Sequence, residues 1–110
     1  MSSQETSDKF PTFSLTGVRP NPNDVAITTA VSRLFKNDPK RVAIIVSNNS
    51  ASHCWIKPKN DVSSTLGIKI QSAGGYYELR REDWHELVTG EWYIVGAGSV
   101  TIMTLELLEY

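Results

Sequence analysis

The chain is poor in the residue types from which reactive sites and membrane spans are built. It has one cysteine, Cys54, so no intrachain disulfide forms. That fits a reducing interior, or a particle assembled in one. It has two histidines, His53 and His85, 32 positions apart. No apolar run approaches the roughly 20 residues of a membrane span, so no membrane is expected. The opening residues Met1-Ser-Ser-Gln-Glu-Thr-Ser-Asp8 lack the basic-then-apolar order of a signal peptide. Neither charge sign is in excess: 11 basic and 12 acidic residues leave a net charge of −1. Nothing in that balance draws the protein to nucleic acid or an acidic bilayer.

Catalytic motifs are missing too. There is no G-x-S-x-G elbow. Gly96-x-Gly98 precedes a strand rather than a helix, which makes it a turn and not a phosphate cradle. His53 and Cys54 are adjacent, and neighbours on a strand point to opposite faces, so they do not act together. Cys54 reads as a small core residue. Asp83 and His85 share a strand face but lack a third metal ligand, and read as a turn carboxylate beside an imidazole. Asn48-Asn49-Ser50 matches a glycosylation sequon and carries no weight without an export signal. Helical periodicity over 10 or more residues is absent, as are internal repeats. No cofactor, metal or enzymatic activity is expected.

What is present is β-strand pattern. The densest stretch is Arg41-Val-Ala-Ile-Ile-Val-Ser-Asn48, whose five consecutive apolar residues fall on both strand faces. Such a run belongs inside a sheet, covered on both sides. Lys40 and Arg41 give it a charged start, and Ser47-Asn-Asn-Ser50 a turn-forming exit. Before it, Val25, Ile27, Val31 and Phe35 share one face of a strand closed by Asn37-Asp-Pro39. After it come strands over His53–Lys57, Ile68–Ile70, Tyr76–Arg80, Trp84–Val88 and Glu91–Val95. A last strand follows Gly98, with a phase shift that predicts a β-bulge near 102–103. A short C-terminal helix through Ile102, Leu105 and Leu108 is the alternative.

About eight short strands with turn signals every 8–12 residues predict an all-β antiparallel β-sandwich, jelly-roll-like rather than βαβ. At 110 residues it is one domain, able to bury roughly two-thirds of its unfolded surface. Residues 1–24 are expected to be an extended N-terminal arm and residues 25–110 the sandwich domain. Pro11, Pro20 and Pro22 exclude a helix in the arm. Phe10, Phe13, Leu15 and Val18 are apolar, so the arm is expected to pack on its own domain or on a neighbouring subunit, with simple disorder as the third reading.

Three tryptophans fall within expected strands. Trp92 lies on a strand covered on both faces, and Trp55 reads as a core anchor. Trp84 shares its face with Glu86 and Val88, a half-exposed setting, and is the leading contact residue. Tyr76 and Tyr77 precede Arg80 and Arg81, but Glu78, Glu82 and Asp83 neutralise that patch, against nucleic acid.

Residues 37–109 resemble small β-sandwich, jelly-roll-like virion structural and decoration proteins of tailed bacteriophages and related viruses. The resemblance runs through Asn37-Asp-Pro39, the Arg41–Asn48 strand, Cys54-Trp-Ile56, Gly67-Ile-Lys-Ile70, Gly74-Gly-Tyr-Tyr-Glu-Leu79 and the closing strand pair after Glu91. The Cys54-Trp55 pair and the long polar arm depart from it. It implies a capsid decoration protein, head-fibre base or tail component, located in the virion and without catalytic residues. The partners would be major capsid or tail subunits and further copies of itself. Phe10, Phe13 and Leu15 would then be the clasp, with Tyr76, Tyr77 and Trp84 as further contacts. A reading from another class is a carbohydrate-binding sandwich, with Trp84 and Tyr76 or Tyr77 as glycan platforms. A cupin-type metalloprotein is a weaker third, given only two histidines.

Overall fold

Four antiparallel strand pairs nest inside one another in the computed structural model, which describes residues 18–110. The strands are β1 (Val18–Ile27), β2 (Ser32–Phe35), β3 (Arg41–Asn48), β4 (Cys54–Lys57), β5 (Ile68–Ile70) and β6 (Gly75–Arg80). A one-turn helix, α1 (His85–Thr89), leads to β7 (Trp92–Gly96) and β8 (Val100–Glu109). β1 pairs with β8, β2 with β7, β3 with β6 and β4 with β5. This ribbon rolls up because β8 also pairs with β3, and β7 with β4. Two four-stranded sheets result, β1-β8-β3-β6 and β2-β7-β4-β5. Rolling a nested ribbon in this way produces the double-sheet jelly roll.

The core lies between the sheets. Ile44 and Val46 of β3 face it, with Leu79, Ile27, Val100 and Ile102 from the same sheet. The facing sheet contributes Phe35, Cys54, Ile56, Ile70, Trp92 and Ile94. The alternation that marks β3, β4 and β7 as strands also sets which residues enter this layer.

Several sequence expectations are corrected. The sandwich starts seven residues earlier than the expected boundary at 24/25, since β1 runs from Val18. Pro20 and Pro22 are tolerated there because β1 is an edge strand, where a missing N–H breaks no ladder. The single strand expected through Val25–Phe35 is two strands, one in each sheet, and Val31 is exposed at the crossing. Ile27 and Phe35, inward on either side of the crossing, share odd parity because the register shifts between Arg33 and Phe35, so periodicity hides the crossing. Trp84–Val88 is not a strand: the chain is passing from β6 to β7 in the other sheet, and Val88 N–H bonds to Trp84 C=O at 2.9 Å. Asp83 and His85 therefore do not share a strand face.

The bulge expected at 102–103 is absent. β8 pairs with β1 in unbroken register from Val100 to Glu109, and Thr104 takes the inward position after Ile102. The register instead shifts between Arg41 and Ala43 of β3. Arg41 is no solvated strand start but fully buried. β3 has a core-facing side as expected. Its other side carries Ala43, Ile45 and Ser47, over which the described residues place no third layer. Among the described residues no helix is long and apolar enough to cross a membrane.

Candidate functional site, a groove along the free edge of β6

Among the described residues β6 pairs on one side only, with β3, which leaves its other edge open. A groove of about 510 Å³ follows that edge, lined by residues 76–80 with Asp83 and Trp84. Its size is that of a small-ligand or peptide-segment site. An edge strand also offers alternate backbone N–H and C=O groups to an added strand.

The alternation of β6 sorts the lining. Tyr76, Glu78 and Arg80 stand opposite Ser47, Ile45 and Ala43 on the outer face, while Tyr77 and Leu79 stand opposite Val46 and Ile44 on the core face. Tyr76 is 69% exposed. Tyr77 is half-buried, its ring 6.0 Å from that of Trp92 at 51°. Burial raises the Tyr77 phenol above its ordinary pKa. The two tyrosines thus differ in kind: Tyr76 is available for contact, and Tyr77 belongs mainly to the wall.

Trp84 closes one end of the groove and is 56% exposed. A tight turn sets it there. Asp83 and Trp84 N–H groups both bond to Arg80 C=O, at 3.1 and 3.0 Å, and Arg81 N–H bonds to Val42 C=O at 2.7 Å. Behind it α1 is anchored by buried Val88, and Trp92 Nε1 donates to Leu87 C=O at 2.7 Å. The opposite end starts at the 71–75 turn, where Gly74 adopts φ 115°. A Cβ on Gly75 would sit 2.5 Å from Gln71 O, so only glycine opens β6.

Aromatic and charged groups alternate along the groove. Arg80 and Glu78 pair loosely at 3.9 Å, and Asp83 adds a second carboxylate. This wall can stack a planar or sugar-like face and hydrogen-bond its rim. Of the six contact residues expected from sequence, the structure brings Tyr76, Tyr77 and Trp84 together. Phe10, Phe13 and Leu15 lie outside the described residues.

Of the other reactive side chains, Cys54 is buried, His53 half-buried and His85 exposed. His53 Nδ1 accepts Ser72 N–H at 3.0 Å, and His85 opens α1. Cys54 is buried, and desolvation pushes its thiol up to about 11. Among the described residues no three His, Cys, Asp or Glu side chains converge as a metal site. Sequence reasoning missed three buried polar groups, Thr104 of β8 and two anchors, Arg41 and Asn48. Arg41 joins β3 to β8, to the C-terminal end of α1 and to the end of β2. Asn48 ties the 50–52 turn to β5. The partners of Arg41 are set by tertiary fold, whereas Asn48 combines a local turn bond to Ser50 with a distant one to Ile70. The chain matches no protein-family model, no curated protein and no solved structure.

Proposed function

We propose that the protein is a virion structural component that binds other virion subunits, as a capsid decoration or a head or tail accessory protein. The observation that carries this reading is the strand order β1-β8-β3-β6 and β2-β7-β4-β5. Jelly rolls of this kind serve as viral capsid and lectin domains, an argument by analogy of fold. The site adds a contact surface. The β6 groove offers an open strand edge beside exposed Tyr76 and Trp84. An extended partner segment can add to that edge, with Trp84 receiving a side chain. Repeated copies on a symmetric particle turn one modest contact into firm attachment.

The test is co-sedimentation of the purified protein with assembled particles from the same genome, compared with Trp84→Ala and Tyr76→Ala. Wild-type protein is expected to pellet with particles, and the variants to be retained less. Failure of the wild-type chain to pellet overturns the reading.

A second reading rests on the aromatic and carboxylate lining of the same groove. Trp84 and Tyr76 serve there as platforms for a glycan, with Asp83 and Glu78 accepting from its hydroxyls. Saccharide titrations followed by tryptophan fluorescence decide it, and flat titrations remove it.

A further inference from the structure

Trp55 is expected as a core anchor and is not one. Its neighbours Cys54 and Ile56 turn into the core, so Trp55 projects from the outer face of the β2-β7-β4-β5 sheet, between Val95 and Lys69. It is half-buried there. Its indole N–H, unlike that of Trp92, has no protein acceptor among the described residues. Trp55 lines a cleft of about 550 Å³ on this face, on the sheet opposite the one that carries the β6 groove. Two connections wall the cleft, and each is held by bonds of its own. The β1–β2 crossing brings Thr29 and Val31, and is tied to β7 by Gly96 N–H donating to Thr28 C=O at 2.8 Å. The 61–66 loop is pinned by buried Val62 and by Ser63 and Leu66, whose N–H and C=O groups exchange bonds at 3.1 and 3.2 Å. It returns so closely that a Cβ on Gly67 would sit 3.0 Å from Val62 Cγ2 and 3.3 Å from Trp55 Cβ. Walls fixed in this way need no ordering when a ligand arrives.

The lining decides the ligand class. It contains no charged side chain, so neither an anion nor a metal ion finds a counter-charge in it. β4 and β7 are interior strands, each paired on both sides, so no strand edge is offered here to a peptide. What remains is the Trp55 ring, apolar Val31 and Val95, and hydroxyl groups. The Ser63 Oγ is taken up within its loop, accepting from Thr65 and Leu66 N–H at 3.2 and 3.1 Å. Thr29 and Ser64 are exposed, and their hydroxyls make no such bond among the described residues. A neutral pyranose matches this set: it lays a C–H face on the indole and turns its hydroxyls to the rim and to water.

We infer that this cleft binds one ring of an uncharged saccharide, stacked on Trp55 and hydrogen-bonded to Thr29 and Ser64. It is a second site, separate from the β6 groove, and it does not rest on the particle-binding reading. It also accounts for two apolar groups left partly in water on an otherwise polar face, Trp55 itself and Val31, which is 44% exposed.

The experiment titrates the full, isotope-labelled chain with trisaccharides of glucose, galactose, mannose and N-acetylglucosamine, and follows its amide and indole N–H signals. At least one sugar is expected to shift the Trp55 indole and the amides of Ser64 and Ala97 saturably, with a dissociation constant in the millimolar range. Trp55→Ala should weaken that binding by about tenfold or more. Thr29→Ala combined with Ser64→Ala should weaken it by about fivefold or more, and this pair leaves the core untouched should Trp55→Ala fail to fold. No saturable shift with any of the four sugars overturns the inference. So does unchanged affinity in the Thr29→Ala, Ser64→Ala protein, or tighter binding of trigalacturonic acid than of the galactose trisaccharide. Shifts confined to Tyr76–Trp84 overturn it as well, because they place the sugar in the β6 groove. Co-sedimentation with particles tests the proposed function separately, so either can fail without the other.

Discussion

Arg41 and Glu106 meet between adjacent strands, Nε donating to Oε1 at 3.0 Å, with the Arg41 side chain wholly shielded from solvent. Burying a guanidinium costs several kcal/mol unless each of its donors is met. Here Nη1 donates to Val88 and Gly90 C=O at 2.8 and 3.1 Å, and Nη2 to Lys36 C=O. The guanidinium carbon also lies 5.2 Å from the centre of the Phe35 ring. One side chain therefore fixes β8, the end of β2 and the C-terminal end of the α1 connection. That connection presents Trp84 to the groove.

Arg41→Met should destabilise the fold by about 3–5 kcal/mol, because it strands Glu106 and three carbonyls. Arg41→Lys keeps the charge but loses the planar fork, and should cost nearly as much. Arg41→Met with Glu106→Leu should cost clearly less than the sum of the two single changes. Urea denaturation of the four proteins measures this, and strict additivity would refute the coupling.

Asn48 is the second buried polar anchor. Its Nδ2 donates to Ser52 and Ile70 C=O at 2.8 and 3.2 Å, while Oδ1 accepts from Ser50 N–H and Oγ. Asn48→Ala should cost about 1–3 kcal/mol. Asn48→Asp should cost more at neutral pH, since a carboxylate would face two carbonyl oxygens with no proton to give. Thermal unfolding ranks them, and an aspartate variant as stable as the alanine one contradicts the assigned amide orientation.

Cys54 yields a pH-dependence with a definite sign. An unfolded thiol titrates at about 8.5, whereas burial holds the folded one near 11. The folded state keeps its proton longer. Its contribution is therefore complete below about pH 8.5 and is lost as pH rises toward 11. Thiol reagents at neutral pH should label the folded protein far more slowly than the denatured one. Equal labelling rates would show that the site opens.

The parts of the fold legible in the sequence are those in which local pattern and tertiary role agree. The run through Ile44 and Val46 announces an interior strand, and the turns around Gly74 and Gly98 separate the strands that follow. What escaped depends on partners distant in sequence. Arg41 looks like a solvated strand start until Glu106, 65 positions away, is placed beside it. Thr104 reads as a break in phase because a hydroxyl at an inward position mimics a shift in register. Trp84–Val88 carries too few residues for period 2 and period 3.6 to differ, and the crossing between sheets decides for a helix. In the groove, Trp84 is exposed as expected, but because it precedes a helix and not because a strand face pairs it with Glu86. The packing of Tyr77 was not readable, because its partner Trp92 comes from the other sheet.

The contrast between Trp84 and Trp92 separates contact from architecture. Trp92 is buried at the centre of the core, with its N–H bonded to Leu87 C=O at 2.7 Å and Tyr77 against its ring. Trp92→Phe should lose about 1–2 kcal/mol for that bond, and more for the unfilled volume. It should also loosen α1, because Leu87 loses its only side-chain partner among the hydrogen bonds described. Trp84 makes no comparable bond among the described residues, and its side chain stands largely in water. Trp84→Ala should therefore change stability by no more than about 0.5 kcal/mol. Any loss of particle or glycan binding in that variant then belongs to the groove and not to unfolding. Measuring stability and binding on both variants makes the assignment. If Trp84→Ala unfolds the protein as readily as Trp92→Phe does, Trp84 is a structural anchor and the groove loses its main contact residue.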